Sequence, residues 1–274
     1  CHYPDVFACA LLNSQPMGFY APAQIIRDAI EHGVEVLPVD VNLSDLENIL
    51  EDGTPAVTRL HPRHAEMKDD IHSTKALRLG LKEVKGLSEN DVDLLIARRG
   101  DGYRSIRDLW LKTGLKQAAL EKLAAADAFN SLGLARREAL WAVRGLVASD
   151  GAEVLPLFAS AGRPPSRPDL VEALPQLTPG EAVIHDYRAL TFSLKAHPVS
   201  FLRTMLAERG MLKAEHLADP ALRPGAVLET AGLVLVRQRP GTANNVIFAT
   251  LEDETGIANI IIWDRVFQKN RRAV

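Results

Sequence analysis

Cysteine is almost missing from this chain: Cys1 and Cys9 are the two among 274 residues. So few thiols exclude a disulfide-built scaffold and fit a reducing cytosol, so a cytoplasmic location is expected. Aromatic residues are sparse at 5%, so the cores must be mostly aliphatic. No apolar run approaches the roughly 18 residues that argue for a membrane helix. No P-loop, G-x-G-x-x-G, G-x-S-x-G, H-E-x-x-H or C-x-x-C motif occurs. The first residue is not methionine and no basic-then-apolar leader follows it, so the chain reads as a piece of a longer protein.

What is present is ordinary for a globular protein: 47% hydrophobic and 24% charged residues. The length suggests about two domains. The net charge of -3 is unevenly spread: residues 1–75 carry -7, 76–145 carry +4, 146–220 carry -2 and 221–274 carry +2. Two mildly basic blocks are thus separated by an acidic one. Screening makes local potential, not overall charge, the relevant quantity for nucleic-acid binding.

Periodicity predicts a helix over 5–14 and a second from Ala21-Pro22, with Ile25, Ile26, Ala29 and Ile30 on one side, closed by Gly33. Val34–Val39 reads as a short buried strand, and 42–70 as loop with a little edge structure. Leu77, Leu79 and Leu81 alternate as in a strand. Ser88 and Asp91 cap a helix closed by Gly100–Gly102, and Ser105 with Asp108 caps the next. Residues 116–126 and 134–148 complete four short helices with glycine-bearing turns. Prolines crowd 149–180, a linker signal. Two helices flank His197-Pro198, and strands follow at 228–236, 246–251 and 257–263, the last two joined by a turn at Glu252–Gly256.

Two features carry binding chemistry. In Lys85-Gly86-Leu87-Ser88, a glycine turn before a helix presents backbone N–H groups to a phosphate oxygen, and Lys82 and Lys85 add charge. An ordinary capped turn is the plain alternative. The strands at 228–263 open like a five-stranded OB barrel, whose face binds single strands through basic and aromatic groups. Arg237, Arg239, Phe248 and Trp263 are the candidates there, against a plain core role for the two aromatics. Residues 227–274 are too few for a full barrel, so it should look truncated. His61, His64 and His72 lack the companion spacing of a metal site, and the acidic turn 252–254 reads as a solvated hairpin. No metal or cofactor is expected in this chain.

The segments His2-Tyr3-Pro4, Ala10–Tyr20 and Leu37-Pro38-Val39-Asp40-Val41-Asn42 resemble the end of the fingers domain in bacterial family C DNA polymerases, the polymerase III alpha-like family. A short strand, Gly80–Gly86, tandem helix-hairpin-helix, linker and OB-fold follow in the family's order. Asn13–Pro22, Arg237–Gly241 and Thr250–Gly256 resemble its error-prone, damage-inducible branch more than the replicative subunit. The resemblance implies templated DNA synthesis past lesions, with a 3′-hydroxyl attacking the α-phosphate of a dNTP between two Mg²⁺ held by palm aspartates. No residue here matches that aspartate motif, so the fragment alone is expected to be inactive.

It also implies that the helix-hairpin-helix pair (Lys82, Lys85, Gly86, Leu87, Ser88) grips primer–template duplex and that the OB-fold lies near the single-stranded template. Leu155, Leu157 and Phe158 resemble the peptide that such polymerases insert into the sliding clamp, but its opening glutamine is missing. A Y-family-like accessory protein is then expected to supply the clamp contact. The expected architecture is α+β and multidomain: the end of the fingers over 1–75, tandem helix-hairpin-helix over 76–148, linker with helices over 149–224, and a truncated OB-fold over 225–274. The competing reading is a non-enzymatic helix-hairpin-helix/OB adaptor in repair. Burial of Ile25, Ile26 and Ile30 within this chain would favour it.

Overall fold

The structure is a computed structural model that describes residues 2–17, 20–149, 174–241 and 245–272. They form two compact units, Cys1–Leu194 and Lys195–Val274. Among the described residues no helix is long and apolar enough to cross a membrane.

In the first unit, α1 (Pro4–Asn13) starts on a proline, which lacks a donor the first turn could not use anyway. It buries Ala8 and Leu12 but leaves Tyr3, Val6 and Phe7 half exposed. Helix α2 (Pro22–Glu31) buries Ile25, Ile26 and Ala29, whereas Ile30 is exposed. Strands β1 (Val36–Leu37), β2 (Ile49–Asp52) and β3 (Lys75–Arg78) pair in the order β1-β3-β2, with β1 parallel and β2 antiparallel to β3. The strand expected over 34–39 is shorter because Pro38 offers no N–H to the ladder. Leu77, Leu79 and Leu81 are fully buried, but the strand stops at Arg78. Gly80 there runs so close to the 46–47 backbone that a Cβ would lie 2.5 Å from the Leu46 carbonyl oxygen.

The helices α3 (Glu89–Arg99), α4 (Ile106–Thr113), α5 (Gln117–Ala125) and α6 (Arg136–Ser149) all form, and α7 (Pro179–Leu190) follows. Ser88 and Ser105 cap α3 and α4 by accepting the Asp91 and Asp108 N–H groups. One buried cluster runs from Ala8, Leu12 and Ile26 through Leu77, Leu95, Leu120 and Phe129 to Leu190 and Phe192. The N-terminal segment and the helices therefore share a core.

In the second unit a 3₁₀ turn (Pro198–Leu202) leads into α8 (Arg203–Glu208). The antiparallel meander β4 (Leu233–Gln238), β5 (Ile247–Glu252) and β6 (Ile257–Ile262) follows, with α9 (Asp264–Lys269) after it. The first strand begins later than expected because Glu229 and Thr230 pair elsewhere: Leu212 donates its N–H to the Glu229 carbonyl and bridges Thr230. The whole is mixed α+β, helices first and the larger sheet last.

Candidate nucleic-acid interface

The first hairpin is built by anchors on either side of an exposed tip. Leu81 and Val84 are buried, while Lys85, Gly86 and Ser88 face outward. Gly86 has φ +74°, a region closed to β-branched residues. The Lys85 N–H donates to the Ala189 carbonyl at 2.8 Å, and that of Leu87 to Val84 at 3.1 Å. The N–H groups of Gly86 and Ser88 have no acceptor among the described residues. Two free donors thus stand at the N-terminus of α3, where the helix dipole also favours an anion. Glu89 and Asp91 in the first turn of α3 oppose that field in part.

The two lysines assigned to this hairpin differ. Lys85 is exposed, but Lys82 lies 2.6 Å from Glu47 Oε2 and 3.2 Å from the Asn13 carbonyl. It braces α1 to the approach of the hairpin. A lysine that sequence reasoning missed reaches the tip instead: Lys122 of α5 donates its Nζ to the Gly86 carbonyl. Nothing local in the sequence signals that contact, which spans 36 positions.

In the second hairpin, between α5 and α6, the loop donors from Ser131 to Ala135 are occupied. The N–H groups of Ser131, Leu132, Gly133, Leu134 and Ala135 donate in turn to Asp40, Phe129, Asn130, Phe129 and Glu138. Asp40 is 2% exposed, and its second oxygen accepts the Asn42 N–H. Asn42 holds both the N–H and the carbonyl of Tyr103 and reaches Ser131 Oγ. The Tyr103 phenol is buried against the Leu95 carbonyl, and burial pushes its pKa up to about 12. The Asp40–Asn42 segment therefore fastens the second hairpin.

On the larger sheet, Phe248 is half-buried and sits opposite Gln238 and Ile261, while exposed Arg237 sits opposite Ala249. Cross-strand partners share a face and sequence neighbours alternate, so Arg237 and Phe248 point to opposite faces. A bulge between Val234 and Val236 causes this; an unbroken ladder would have set Arg237 against Phe248. Arg239 lies over the Phe267 ring at 5.2 Å and 3.8 Å from Asp264. Trp263 is 61% exposed. Leu155, Leu157 and Phe158 lie outside the described residues.

The acidic turn is not solvated as expected. Asp253 is 1% exposed. It accepts the N–H groups of Ala214, Thr255 and Gly256, the Thr255 hydroxyl and the Arg203 guanidinium. His61, His64 and His72 face separate partners: the Arg63 N–H, Glu31 with His32, and His2 with Tyr3. No group of three or more metal-ligating side chains occurs among the described residues.

Residues 33–139 match the model of the helix-hairpin-helix motif family. The full 274 residues are 57% identical to error-prone DNA polymerase 1 of Rhizobium meliloti (strain 1021) and 56% identical to an error-prone DNA polymerase of Sinorhizobium medicae, covering 24% of each relative. An error-prone DNA polymerase of Caulobacter vibrioides is 48% identical, with 99% of this chain covering 25% of it. The chain thus spans roughly a quarter of the length of these curated relatives, and similarity runs through it from end to end.

Proposed function

We propose that this chain, homologous along its whole length to part of the error-prone DNA polymerases, is the segment by which such an enzyme grips its primer–template. The parent is then a DNA-directed DNA polymerase, a nucleotidyltransferase, acting in damage-induced mutagenesis and translesion synthesis. Residues 1–75 serve as the end of its fingers, 76–148 as its tandem helix-hairpin-helix and 225–274 as the start of its OB-fold. The observation that carries the duplex role is the pair of open N–H donors at Gly86 and Ser88, inside a matched helix-hairpin-helix. Donors of this kind bind phosphate without reading bases, which suits an enzyme that must hold any sequence.

The adaptor reading has one observation in its favour: Ile25 and Ile26 are buried within this chain. Ile30, Tyr3, Val6 and Phe7 remain exposed, leaving an apolar surface of the kind a larger polymerase body would cover. With the relatives' names, that supports the polymerase reading. The single-strand role of Arg237, Arg239 and Phe248 is retained with Arg237 and Phe248 acting from different faces. Clamp or accessory-protein contact through Leu155, Leu157 and Phe158 belongs to the same proposal.

The test is fluorescence anisotropy of the chain with a labelled primer–template, titrated across salt, for the wild type and Gly86→Val. Log affinity should fall linearly with log salt, by about 0.9 per phosphate neutralised. Gly86→Val should weaken binding about tenfold, about 1.4 kcal/mol, with the β4–β6 sheet still folded. Primer extension by the full-length protein carrying Gly86→Val should give shorter products. Unchanged affinity and unchanged extension would remove the hairpin from DNA binding.

A further inference from the structure

Lys122 belongs to α5, a helix of the second hairpin pair, yet its Nζ donates to the carbonyl of Gly86 at the tip of the first. A Cβ built on Gly86 would stand 3.8 Å from both Lys122 Cε and Nζ. An ammonium has three donors, and the Gly86 carbonyl is the one acceptor the described residues offer this one. Its other two donors and its full charge therefore stand at Gly86, in the hairpin whose Gly86 and Ser88 N–H groups have no acceptor among the described residues. By contrast, Lys82 is neutralised by Glu47.

From this geometry we infer that Lys122 is a positioning and charge-supplying residue of the duplex grip, holding the Gly86 peptide and facing the bound phosphate. This rests on the duplex reading above. It makes the phosphate site a composite of the two hairpin pairs: donors from the first and the cation from α5 of the second. The second hairpin pair, whose loop donors from Ser131 to Ala135 are occupied, contributes through Lys122.

The experiment is duplex binding by the full chain, read by anisotropy across salt, for the wild type, Lys122→Met, Lys122→Arg and Gly86→Val. Lys122→Met should weaken binding about tenfold at 0.1 M salt and lower the log–log salt slope by about one phosphate's worth. Lys122→Arg should restore most of both. If Gly86→Val weakens binding while Lys122→Met changes neither affinity nor slope, the assignment is overturned and the duplex reading stands. A weaker Lys122→Met with an unchanged slope overturns the charge role, since a purely structural brace would not alter the number of phosphates neutralised. If the wild type itself fails to bind duplex at low salt, the duplex reading falls and this inference with it.

Discussion

Replacing Asp186 by alanine should destabilise the first unit by about 3–5 kcal/mol, a large part of the 5–15 kcal/mol typical of a whole domain. Asp186 is 4% exposed and pairs with Arg136, which is 3% exposed. Arg136 also donates to the Ala182 carbonyl at 2.9 Å and lies 3.8 Å from Asp127. The other Asp186 oxygen accepts the Ser193 hydroxyl at 2.6 Å. Alanine would leave a guanidinium buried with its best counter-charge gone and α7 loosened from α6. Changing both partners, Arg136→Met with Asp186→Leu, should cost much less, because no charge is then stranded.

The check is urea unfolding followed through Trp110 and Trp141, with exposed Trp263 replaced by Phe to silence the second unit. A loss below about 1 kcal/mol for Asp186→Ala, the range of surface pairs, would show that the pair is dispensable. Helix α7 also supplies the Ala189 carbonyl that holds the Lys85 N–H. Asp186→Ala should therefore weaken duplex binding even where the unit stays folded.

Asp253→Ala should have the second-largest effect, at about 3 kcal/mol on the second unit, because it strands several donors that are buried or partly so. The β5–β6 turn and the Ala214 N–H both hang on this carboxylate. Burial disfavours its ionisation, but the donors from Ala214, Thr255 and Gly256 outweigh burial and hold the carboxyl below its usual range. The Arg203 guanidinium does the same for Glu254 against a smaller burial effect. Both groups have folded-state pKa values below their unfolded ones. Their stabilisation is therefore complete above pH 4 to 4.5 and is lost as the pH falls through the folded values.

Amide exchange in β5, which is paired on both sides, reports this unit. Wild-type protection should fall as the pH drops below about 4, the unfolded carboxylate range, and Asp253→Asn should flatten that dependence. Equal protection in wild type and Asp253→Ala at pH 7 would refute the role of the turn.

The turns and caps were legible because their causes lie within a few residues. Ser88 meets the Asp91 N–H three positions on, and Gly86 adopts the positive φ that only glycine accepts cheaply. The same holds for the helices of 88–149 and the hairpin at 252–256. Their period and capping residues are local, so the α+β order could be read before any coordinate was known. The composition and length did the rest by excluding a disulfide scaffold and a membrane helix.

The tertiary structure decided what each charged or polar group does. Lys82 pairs with Glu47 and Lys122 of α5 reaches Gly86, and neither contact is marked by its neighbours in sequence. Asp40 and Asn42 stood out as letters of a motif, but their task of closing the second hairpin lies 89 to 91 residues away. A single bulge turned Arg237 and Phe248 to opposite faces of one sheet. Local backbone preferences depend on neighbours in sequence and can be read from it. The partner of a buried charge, and the face of a strand beyond a bulge, depend on which distant segments the core brings together, and only the packed chain contains that.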